Sequence, residues 1–588
     1  MFFFSSFSIC LWSVQRMFGS MLSILGVVGV LSVWAGTASA LTITVTTLDD
    51  VADPPFNGDG TCPAAGTVGD LPGADGEVSL REALIVANNT LGPQGIAFAA
   101  ALIGGTILLD FDDADVDGDP DGLPYLCDGG TSINGDLTAD NVPDITLDGS
   151  AFADPGMDGL VMISSENTIN GLKLQNIPDV GLSVFHNVPG VKLEKNTISN
   201  NIVIGGTLPI IIQNEGVSIE KTTISGNTIS GASIDGIEIL TSDLPGAKIS
   251  GTTISGNTIF ANARFGIRVL TNFTTAGTGS KITRTKITNN ILTGNVSAGI
   301  AFQMAGTKSL ISGTNIVGNT VTGSAIGMNL DGGIFGASKN KLQATIKNNT
   351  VTGNTSTATA GILVRAGVVD AVENKTTVKI EGNTVSDNLS GRGIRVTAGQ
   401  NNSSNNKLTA KISSNTVERN GGIGISGLAA LGAFTGVGTS TENSLTINIE
   451  KNQVHDHTAS GMSGIVVAAG AGSEDGAAAK IANTNSAKAK VTENEVTNSD
   501  AYGVLVAGAL SGLANGNDSS ASVSKNVACT NGTDIQVFGA VPDAPAVVGT
   551  GNVADAKISK NTATTIAVAN GVAGNTGTAL QTANVPCP

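Results

Sequence analysis

The chain has 588 residues, of which 77 are glycine, 4% are aromatic and 13% are charged, and its formal net charge is −17. The charged fraction is about half of that in an average soluble protein. The acidic balance argues against binding to nucleic acid or to anionic membranes, because both are polyanions. Abundant glycine with few aromatic and charged side chains is typical of an exported rod.

Residues 1–40 have the pattern of a secretory signal peptide. Arg16 precedes the apolar run Met21–Trp34, and Ala38–Ala40 is a small-residue cleavage site before Leu41. The run is short for a membrane span, and no later segment has about 20 continuous apolar residues. We therefore predict export, with no integral membrane span in the mature chain. Retention of the segment as an anchor is the alternative.

Residues 41–158 form an acidic region, predicted to be an N-terminal cap. It contains 22 Asp or Glu and the single base Arg81, so the net charge of −17 originates almost entirely here. Ser79, with Glu82 three residues later, is a capping box that opens a helix. The helix is predicted to be amphipathic and to cover the end of a stack of repeats with one apolar face, which consists of Leu80, Ala83, Leu84 and Ala87.

A candidate calcium site lies in this region, where five aspartates alternate: Asp113, Asp115, Asp117, Asp119 and Asp121. With Gly118 at the sixth position they match the first half of a calcium loop, since Ca²⁺ takes about six to eight oxygen ligands and glycine permits the sharp turn. The usual acid at the last position is replaced by Pro124, so a carbonyl or water would complete the shell. Without a cation the carboxylates repel one another. A solvated acidic loop is the alternative.

From about residue 190 the chain repeats one phrase, an aliphatic residue, two positions and then Asn, followed by Ile or Val two positions later. Successive asparagines lie roughly 30 to 42 residues apart, and a period in this range indicates a solenoid, a propeller or an array. The asparagines of the phrase are Asn196, Asn227, Asn257, Asn290, Asn319, Asn349, Asn383, Asn415, Asn452, Asn494, Asn526 and Asn561.

Each repeat reads as three short strands with period-2 alternation, each two to five residues long, separated by turn residues. Examples within one repeat are Ala247–Ser250, Ile254–Ile259 and Gly266–Val269. Three strands per turn, stacked on the next turn, make a parallel β-helix of about twelve coils. Its interior is predicted to contain the aliphatic column Ile224, Ile254, Ile287, Ile316, Ile346, Ile380 and Ile412.

The repeated asparagines have two structural explanations. Asn tolerates the left-handed conformation of a sharp turn. When stacked, its amide also bonds to the amide of the coil above, as in asparagine ladders. We therefore interpret these residues as structural.

Four cysteines follow the signal segment, and an even number in an exported chain indicates disulfides. Two precede the repeats and two lie at the far end. We predict the pairs Cys62–Cys127 and Cys529–Cys587, each stapling one end of the solenoid.

The repeats resemble those of right-handed parallel β-helix proteins with the pectate-lyase-like fold, over roughly residues 160–575. Proteins with this fold include lyases, hydrolases, epimerases, adhesins and inert spacers, so the resemblance implies the fold and no activity. The strand Leu41–Thr47 and the segment Ser79–Ala83 with its following Asn pair resemble the CSLREA domain of exported bacterial proteins. Val78 stands where that motif has Cys. The resemblance implies export and surface exposure, and the missing Cys makes Cys127 the partner of Cys62.

Catalytic candidates are few. Asp235, Glu238, Arg264 and Arg268 lie within one or two coils, as do Asp387, Arg392 and Arg395. Glu238 and Arg268 hold equivalent places on adjacent turns, so a surface ion pair explains them more simply. The segment His455–His457 is interpreted as surface decoration at a turn. The region after the signal segment has no Trp and only two Tyr, so it offers few rings for stacking on sugars.

The sequence therefore predicts an all-β, right-handed parallel β-helix with a helix-containing cap. Its parts are the signal peptide 1–40, the cap 41–158, the repeats 159–575 and the tail 576–588. The predicted function is an exported structural, adhesive or binding protein at the cell surface or outside it, with polysaccharide or another surface component as partner. The alternative is a polysaccharide-active enzyme, either a lyase or a glycosidase.

Overall fold

The structure is a computed structural model, and it describes residues 41–53, 62, 66–110, 113–114, 120–152, 154–186, 191–274, 276–356, 359–389, 391–432, 438–471, 480–510, 513–541, 550–571 and 573–588. The predicted signal peptide lies outside the described residues. No helix among the described residues is long and apolar enough to cross a membrane.

The repeats stack as a right-handed parallel β-helix with three long sheets, which confirms the predicted fold class. Among the described residues, sheet 1 has 21 strands, sheet 2 has 15 and sheet 3 has 14. The chain passes from sheet 1 to sheet 2 to sheet 3 and then enters the next coil. Every pairing in these three sheets is parallel, as stacking of successive coils requires.

The strands of sheet 1 are Leu41–Val45, Gln94–Phe98, Ser132–Asn134, Thr168–Asn170, Lys192–Glu194, Thr197–Ser199, Ser218–Glu220, Thr223–Ser225, Lys248–Ser250, Thr253–Ser255, Lys281–Thr283, Lys286–Thr288, Leu310–Val317, Lys341–Lys347, Lys375–Glu381, Lys407–Ser413, Ser444–Glu450, Ser486–Thr492, Asp518–Ser524, Val553–Ser559 and Thr576–Thr582.

The strands of sheet 2 are Thr106–Leu108, Ile145–Asp148, Leu172–Gln175, Ile202–Ile204, Thr228–Ser230, Thr258–Phe260, Ile291–Thr293, Thr320–Thr322, Thr350–Thr352, Thr384–Ser386, Thr416–Glu418, Gln453–His457, Glu495–Ser499, Val527–Cys529 and Thr562–Ala563.

The strands of sheet 3 are Leu160–Met162, Val180–His186, Leu208–Asn214, Ile237–Thr241, Phe265–Thr271, Ala298–Met304, Ile326–Asp331, Ala360–Val368, Arg392–Gln400, Ile425–Leu431, Ile465–Ala471, Tyr502–Ala509, Thr533–Ala540 and Ile566–Gly571. Several are seven to nine residues long, which exceeds the two to five residues expected from the sequence.

Five further strands lie outside these sheets. Asp113–Ala114 pairs antiparallel with Pro120–Asp121. A small parallel sheet in the connections from sheet 3 to sheet 1 contains Gly438–Thr441, Lys480–Asn483 and Leu513–Asn515. Short 3₁₀ turns occupy Val68–Asp70 and Ala100–Leu102.

Inward side chains form the predicted aliphatic columns. Ile224, Ile254 and Ile287 stand in register on successive coils, and the column continues through Ile316, Ile346, Ile380 and Ile412. All seven are 0% exposed. Because each coil alone leaves this face open, the interior becomes dry only when neighbouring coils stack.

The α-helix Leu80–Asn88 begins with the predicted capping box. Ser79 Oγ accepts from Glu82 N at 3.1 Å, and Ser79 N donates to the Glu82 carboxylate at 3.0 Å. The predicted face of Leu80, Ala83, Leu84 and Ala87 packs in the core, but the helix is not exposed on its other side, because every residue from Leu80 to Ala87 is buried. Arg81 tolerates burial because it forms a bidentate pair with Asp50, with both N–O distances 2.9 Å. The apolar residues of the helix join the core that contains Ile43 and Ile96 of sheet 1.

Sheet 1 changes its shape along the solenoid. In early coils a turn divides each rung into two short strands, with a positive φ at Lys195, Lys221, Gly251, Arg284 and Gly313. From the rung Lys341–Lys347 onward the rung has one residue fewer, and the two halves join into one seven-residue strand. The register shift in Leu310–Val317 marks the transition.

A continuous asparagine ladder joins the coils at the turn from sheet 1 to sheet 2. Each side-chain amide donates to the Oδ1 of the next asparagine at 2.9–3.2 Å. Its members are Asn201, Asn227, Asn257, Asn290, Asn319, Asn349, Asn383, Asn415, Asn452, Asn494, Asn526, Asn561 and Asn584. The predicted ladder role is therefore confirmed.

Two details of the asparagine prediction were wrong. Asn196 is not in this ladder. Thr197 pairs with Thr223, so the counterpart of Asn196 on the next coil is Thr222. The ladder position is Asn201, which precedes the strand that pairs with Thr228–Ser230. The left-handed residue of the turn also precedes the ladder position, as at Gly226 with φ 67°. Left-handed backbone therefore does not explain the repeated Asn, whereas the hydrogen bonds do.

A second ladder, which was not predicted from the sequence, joins the coils where sheet 3 passes to sheet 1. The side-chain contacts are 2.8–3.2 Å and run through Asn374, Asn406, Asn443, Asn485, Asn517, Asn552 and Asn575. Each of these residues stands nine positions before a member of the first ladder. This constant spacing of nine residues is the sequence signal from which the second ladder could have been predicted.

Both predicted disulfides are present. Cys62 pairs with Cys127 and Cys529 pairs with Cys587, with Cα–Cα distances of 5.9 and 6.0 Å. The second bond ties the tail to sheet 2, where Val585 N also donates to Asn561 O at 2.8 Å. Each bond therefore joins segments at one end of the solenoid.

Candidate functional site

The outer face of sheet 1 contains a groove of about 780 Å³. It crosses seven consecutive rungs, from Leu310–Val317 to Asp518–Ser524. Six spacings of about 4.8 Å between rungs make it about 29 Å long. The groove begins where the two halves of sheet 1 join, so the loss of one residue per rung creates the continuous strands that form it.

The floor of the groove lies over a column of residues that are 2–8% exposed and that belong to the hydrophobic core: Ala344, Val378, Ala410, Ile447 and Ala489. One wall is formed by outward residues on one side of this column, which are Gln343, Thr377, Thr409, Thr446 and Lys488. The other wall contains Asn315, Thr345, Lys379, Lys411, Asn448, Lys490 and Ser522. Amides, hydroxyls and ammonium groups therefore line both sides of the groove.

The groove is electropositive although the whole chain is acidic. Its seven rungs contain eight Lys against three acids, and none of its lining residues is Asp or Glu. Lys379 and Lys411 contact Glu381 and Glu450, respectively, at the edge of the groove. The hydrogen bond with Glu450 raises the pKa of Lys411, so this ammonium stays charged at neutral pH.

Lys488 and Lys490 differ from the other two lining lysines. Within the described part of the chain, no carboxylate oxygen lies within 4 Å of either ammonium group. The hydrogen bond with Lys411 has the largest effect in lowering the pKa of Glu450, and the charge of Lys490 lowers it further. The two ammonium groups are therefore available to an external anion.

The lysines of the groove were not predicted from the sequence. They alternate with inward residues, as in Lys375, Lys379, Lys407 and Lys411, and recur at the same places on adjacent rungs. That recurrence was a usable signal for a basic face. The net charge of the chain does not show this basic face, because the acidic cap dominates the net charge.

The predicted catalytic candidates gather on sheet 3 instead. Arg264 makes a bidentate contact with Asp235, and Arg268 contacts Glu238 at 3.0 Å on the adjacent coil. Both carboxylates are buried, at 0% and 4% exposure, so the expected surface ion pair is a buried network. Burial raises the pKa of Glu238, which Arg268 opposes.

The remaining charged candidates do not join this network. Asp387 pairs with Arg419 on the exposed turn after sheet 2, at 2.8 Å. Arg392 and Arg395 belong to sheet 3 and have partners of their own. A related buried contact on sheet 3 joins Arg365 to Asp331 at 2.7 Å. In these contacts each charged side chain is paired with another group of the protein, so we interpret them as structural pairs between coils.

The interpretation of His455–His457 as surface decoration was half wrong. His455 is partly exposed, with Nδ1 3.0 Å from Asp456. His457 is 0% exposed and follows Asn388 and Asn420 in a third, partial ladder between sheets 2 and 3. Its Nδ1 lies 3.3 Å from Asn420 O and its Nε2 lies 3.3 Å from Val417 O. Desolvation lowers the pKa of His457.

Most of the predicted calcium loop lies outside the described residues, including Asp115, Asp117 and Asp119. The backbone of Asp113 pairs with that of Asp121 in a short hairpin. Among the described residues, no group of three or more His, Cys, Asp or Glu is placed to hold a metal ion. The loop itself is untested by that finding.

No protein-family model matches the sequence, and no curated protein matches it. Solved structures resemble it in fold. The A-module of the mannuronan C-5 epimerase AlgE4 of Azotobacter vinelandii has a TM-score of 0.37 at 17% identity, covering 61% of this chain and 86% of that one.

Two further structures show the same level of similarity. The periplasmic alginate epimerase AlgG has a TM-score of 0.35 at 12% identity, covering 78% of this chain and 84% of that one. The catalytic unit of a GH87 α-1,3-glucanase from Streptomyces thermodiastaticus has 0.34 at 14%, covering 62% and 60%. The similarity concerns the β-helix scaffold and extends to no activity.

Proposed function

We propose that the protein is an exported β-helix module that binds an acidic polysaccharide along the groove of sheet 1. The observation that carries this proposal is the lysine-lined, acid-free groove across seven rungs. A linear polyanion matches its elongated shape and its charge, because complementary potentials favour encounter and register. The amide and hydroxyl walls provide hydrogen bonds to sugar hydroxyls.

Binding without turnover fits the lining better than catalysis does. A glycosidase needs two carboxylates that converge on the scissile bond, and the groove has none among its lining residues. The buried carboxylates Asp235 and Glu238 lie on another sheet and are engaged by arginines. The polysaccharide-active enzyme therefore remains the second reading, to be decided by product analysis.

Export is part of the same proposal. It is supported by the leader pattern at 1–40 and by the two disulfides, which persist in oxidising compartments. The Asp113–Asp121 loop is proposed as a calcium site that stabilises the acidic cap.

Binding to polygalacturonate and alginate, measured by affinity electrophoresis, tests the proposal, with a neutral glucan for comparison. The parent should bind the acidic polymers and release them as salt screens the charges. The variant Lys488→Glu/Lys490→Glu should lose this binding. The control Lys195→Glu/Lys560→Glu makes the same charge change outside the groove and should retain it.

Three outcomes distinguish a binding module from an enzyme and from nonspecific binding governed by net charge. Absence of binding by the folded parent, or equal binding by the neutral glucan, overturns the proposal of an acidic polysaccharide ligand. New unsaturated or reducing ends after incubation identify an enzyme instead of a binding module. Equal loss in the groove variant and in the control would show that net charge, and not the groove, governs binding.

A further inference from the structure

The outer face of sheet 2 is rich in hydroxyl groups. Over six consecutive rungs its outward positions carry no charge. They are eight Thr, two Ser, one Ile and one Phe, namely Thr228, Ser230, Thr258, Phe260, Ile291, Thr293, Thr320, Thr322, Thr350, Thr352, Thr384 and Ser386. We call this set the hydroxyl face.

The hydroxyl face is arranged as two straight columns. The first residues of the rungs stand in register, as do the last residues. The middle residues, such as Val321 and Val351, are 0% exposed and anchor each rung in the core. Adjacent rungs are about 4.8 Å apart, and positions two apart on one strand are about 6.7 Å apart. The result is a two-dimensional lattice of methyl and hydroxyl groups.

The first asparagine ladder borders each rung of the face and links neighbouring rungs. Sheets of many strands normally twist, and flat ones are stabilised by stacking or by side-chain ladders. Asn319, Asn349 and Asn383 stand immediately before the strands beginning at Thr320, Thr350 and Thr384 and are linked at 2.9–3.0 Å. These hydrogen bonds tie the spacing of the hydroxyl face to the packing of the coils.

The two columns differ in how their hydroxyls are satisfied. In the second column, Thr322 donates to Thr293 at 3.2 Å and Ser386 donates to Thr352 at 3.3 Å. In the first column, Thr320, Thr350 and Thr384 have no side-chain hydrogen bond within the described part of the chain. Their hydroxyls are left to water at a regular spacing.

We propose that the hydroxyl face binds ice. Its repeats along two directions are similar to oxygen repeats on prism planes of hexagonal ice, and each Thr offers a hydroxyl that donates and accepts beside a methyl that orders its hydration water. A charged face would instead hold water in shells that do not fit a crystal. The absence of charge over six rungs is what this ligand requires.

Other flat ligands fit the face less well. A polysaccharide surface is recognised through stacked aromatic rings or through charge, and the face has one ring, Phe260, which is 39% exposed. A second copy of the chain would bury the face against itself and would appear as a dimer. The proposal is independent of the groove, which lies on sheet 1.

Thermal hysteresis and inhibition of ice recrystallisation by the purified protein test the proposal. The parent should depress the freezing point below the melting point and keep ice grains small. Thr350→Lys/Thr384→Lys replaces two exposed residues of the first column and should abolish both effects. The control Ser486→Lys/Ser520→Lys adds the same charge at exposed positions of sheet 1, outside the groove lining, and should retain them.

Circular dichroism melting of both variants shows whether each is folded. A folded parent that gives no hysteresis and no inhibition of recrystallisation overturns the proposal, as does equal activity of the two lysine variants. A dimer in sedimentation that dissociates in Thr350→Lys/Thr384→Lys, without ice activity, would assign the face to self-association. Polygalacturonate binding should be unchanged in Thr350→Lys/Thr384→Lys, whose substitutions lie on sheet 2 and not on the sheet of the groove, so the two proposals fail separately.

Discussion

The side-chain amide of Asn383 donates to Asn415 Oδ1 on the next coil at 2.9 Å, and the same amide donates to Ile346 O on the preceding coil at 3.0 Å. Asn383 Oδ1 in turn accepts from the backbone N and the side-chain amide of Asn349, both at 2.9 Å. One buried residue thus satisfies polar groups on three coils. This arrangement explains why Asn recurs at the turn.

Replacing Asn383 by Ala should destabilise the solenoid strongly. The change leaves buried donors and acceptors on both neighbouring coils without partners, at about 1–3 kcal/mol for each group. We expect a loss of at least about 3 kcal/mol in the free energy of unfolding, measured by urea denaturation. Asn315→Ala removes an exposed asparagine with one weak contact to Gly313 and is the control. Similar losses in both variants would contradict the ladder's role.

The buried pair Arg81–Asp50 should matter more than an exposed pair. Arg81→Leu leaves the Asp50 carboxylate in a site where that side chain is 0% exposed, and breaking such a pair costs about 3–5 kcal/mol. Lys195→Leu breaks the pair with Glu166, in which both side chains are more than half exposed, and should cost about 0–1 kcal/mol. Thermal melting of the two variants compares them. An unchanged midpoint in Arg81→Leu would refute the importance of the cap pair.

Stability should fall in acid partly because of His457. Desolvation lowers its pKa below the ordinary 6.5 in the folded state, so the unfolded chain binds more protons as the pH decreases. The stability that depends on neutral His457 is therefore complete above pH 6.5 and is lost as the pH falls below it. His457→Asn restores the residue type of the third ladder and should flatten this part of the profile.

Urea unfolding of the parent and of His457→Asn at several pH values around 6.5 measures the difference. Contributions from carboxylates and from buried His186, whose pKa is also lowered by burial, are common to both proteins and cancel. His455→Asn changes a partly exposed histidine and is the control. Parallel profiles for all three proteins would contradict the prediction.

Calcium should raise the melting temperature if the acidic loop binds it. A ligand that binds only the folded state stabilises it by mass action, and bound Ca²⁺ removes the repulsion among the aspartates. Asp115→Asn/Asp117→Asn should abolish the shift measured by differential scanning fluorimetry. Glu77→Gln changes an exposed acid elsewhere in the cap and should retain it. No calcium shift in the parent would reject the site.

The sequence located the coils but not the groove. The coil period is visible in the sequence because one asparagine per coil must stack on the asparagine of the next coil. The regular spacing of Asn349, Asn383 and Asn415 therefore indicates the repeat. The groove depends on the loss of one residue per rung after Leu310–Val317, which joins two short strands. The loss of one residue per rung does not produce a recognisable sequence motif, so its effect on the outer surface of sheet 1 was not predicted.

The sequence by itself determined the stacked architecture, the dry aliphatic columns and the disulfide pairs, because each follows from the repeat period and from the order of residues along the chain. Only the tertiary structure decided that Asn201 and not Asn196 begins the ladder, that His457 is buried, and which lysines and threonines share a face. These facts depend on the register between coils about 30 residues apart, and register is a property of the packed solenoid.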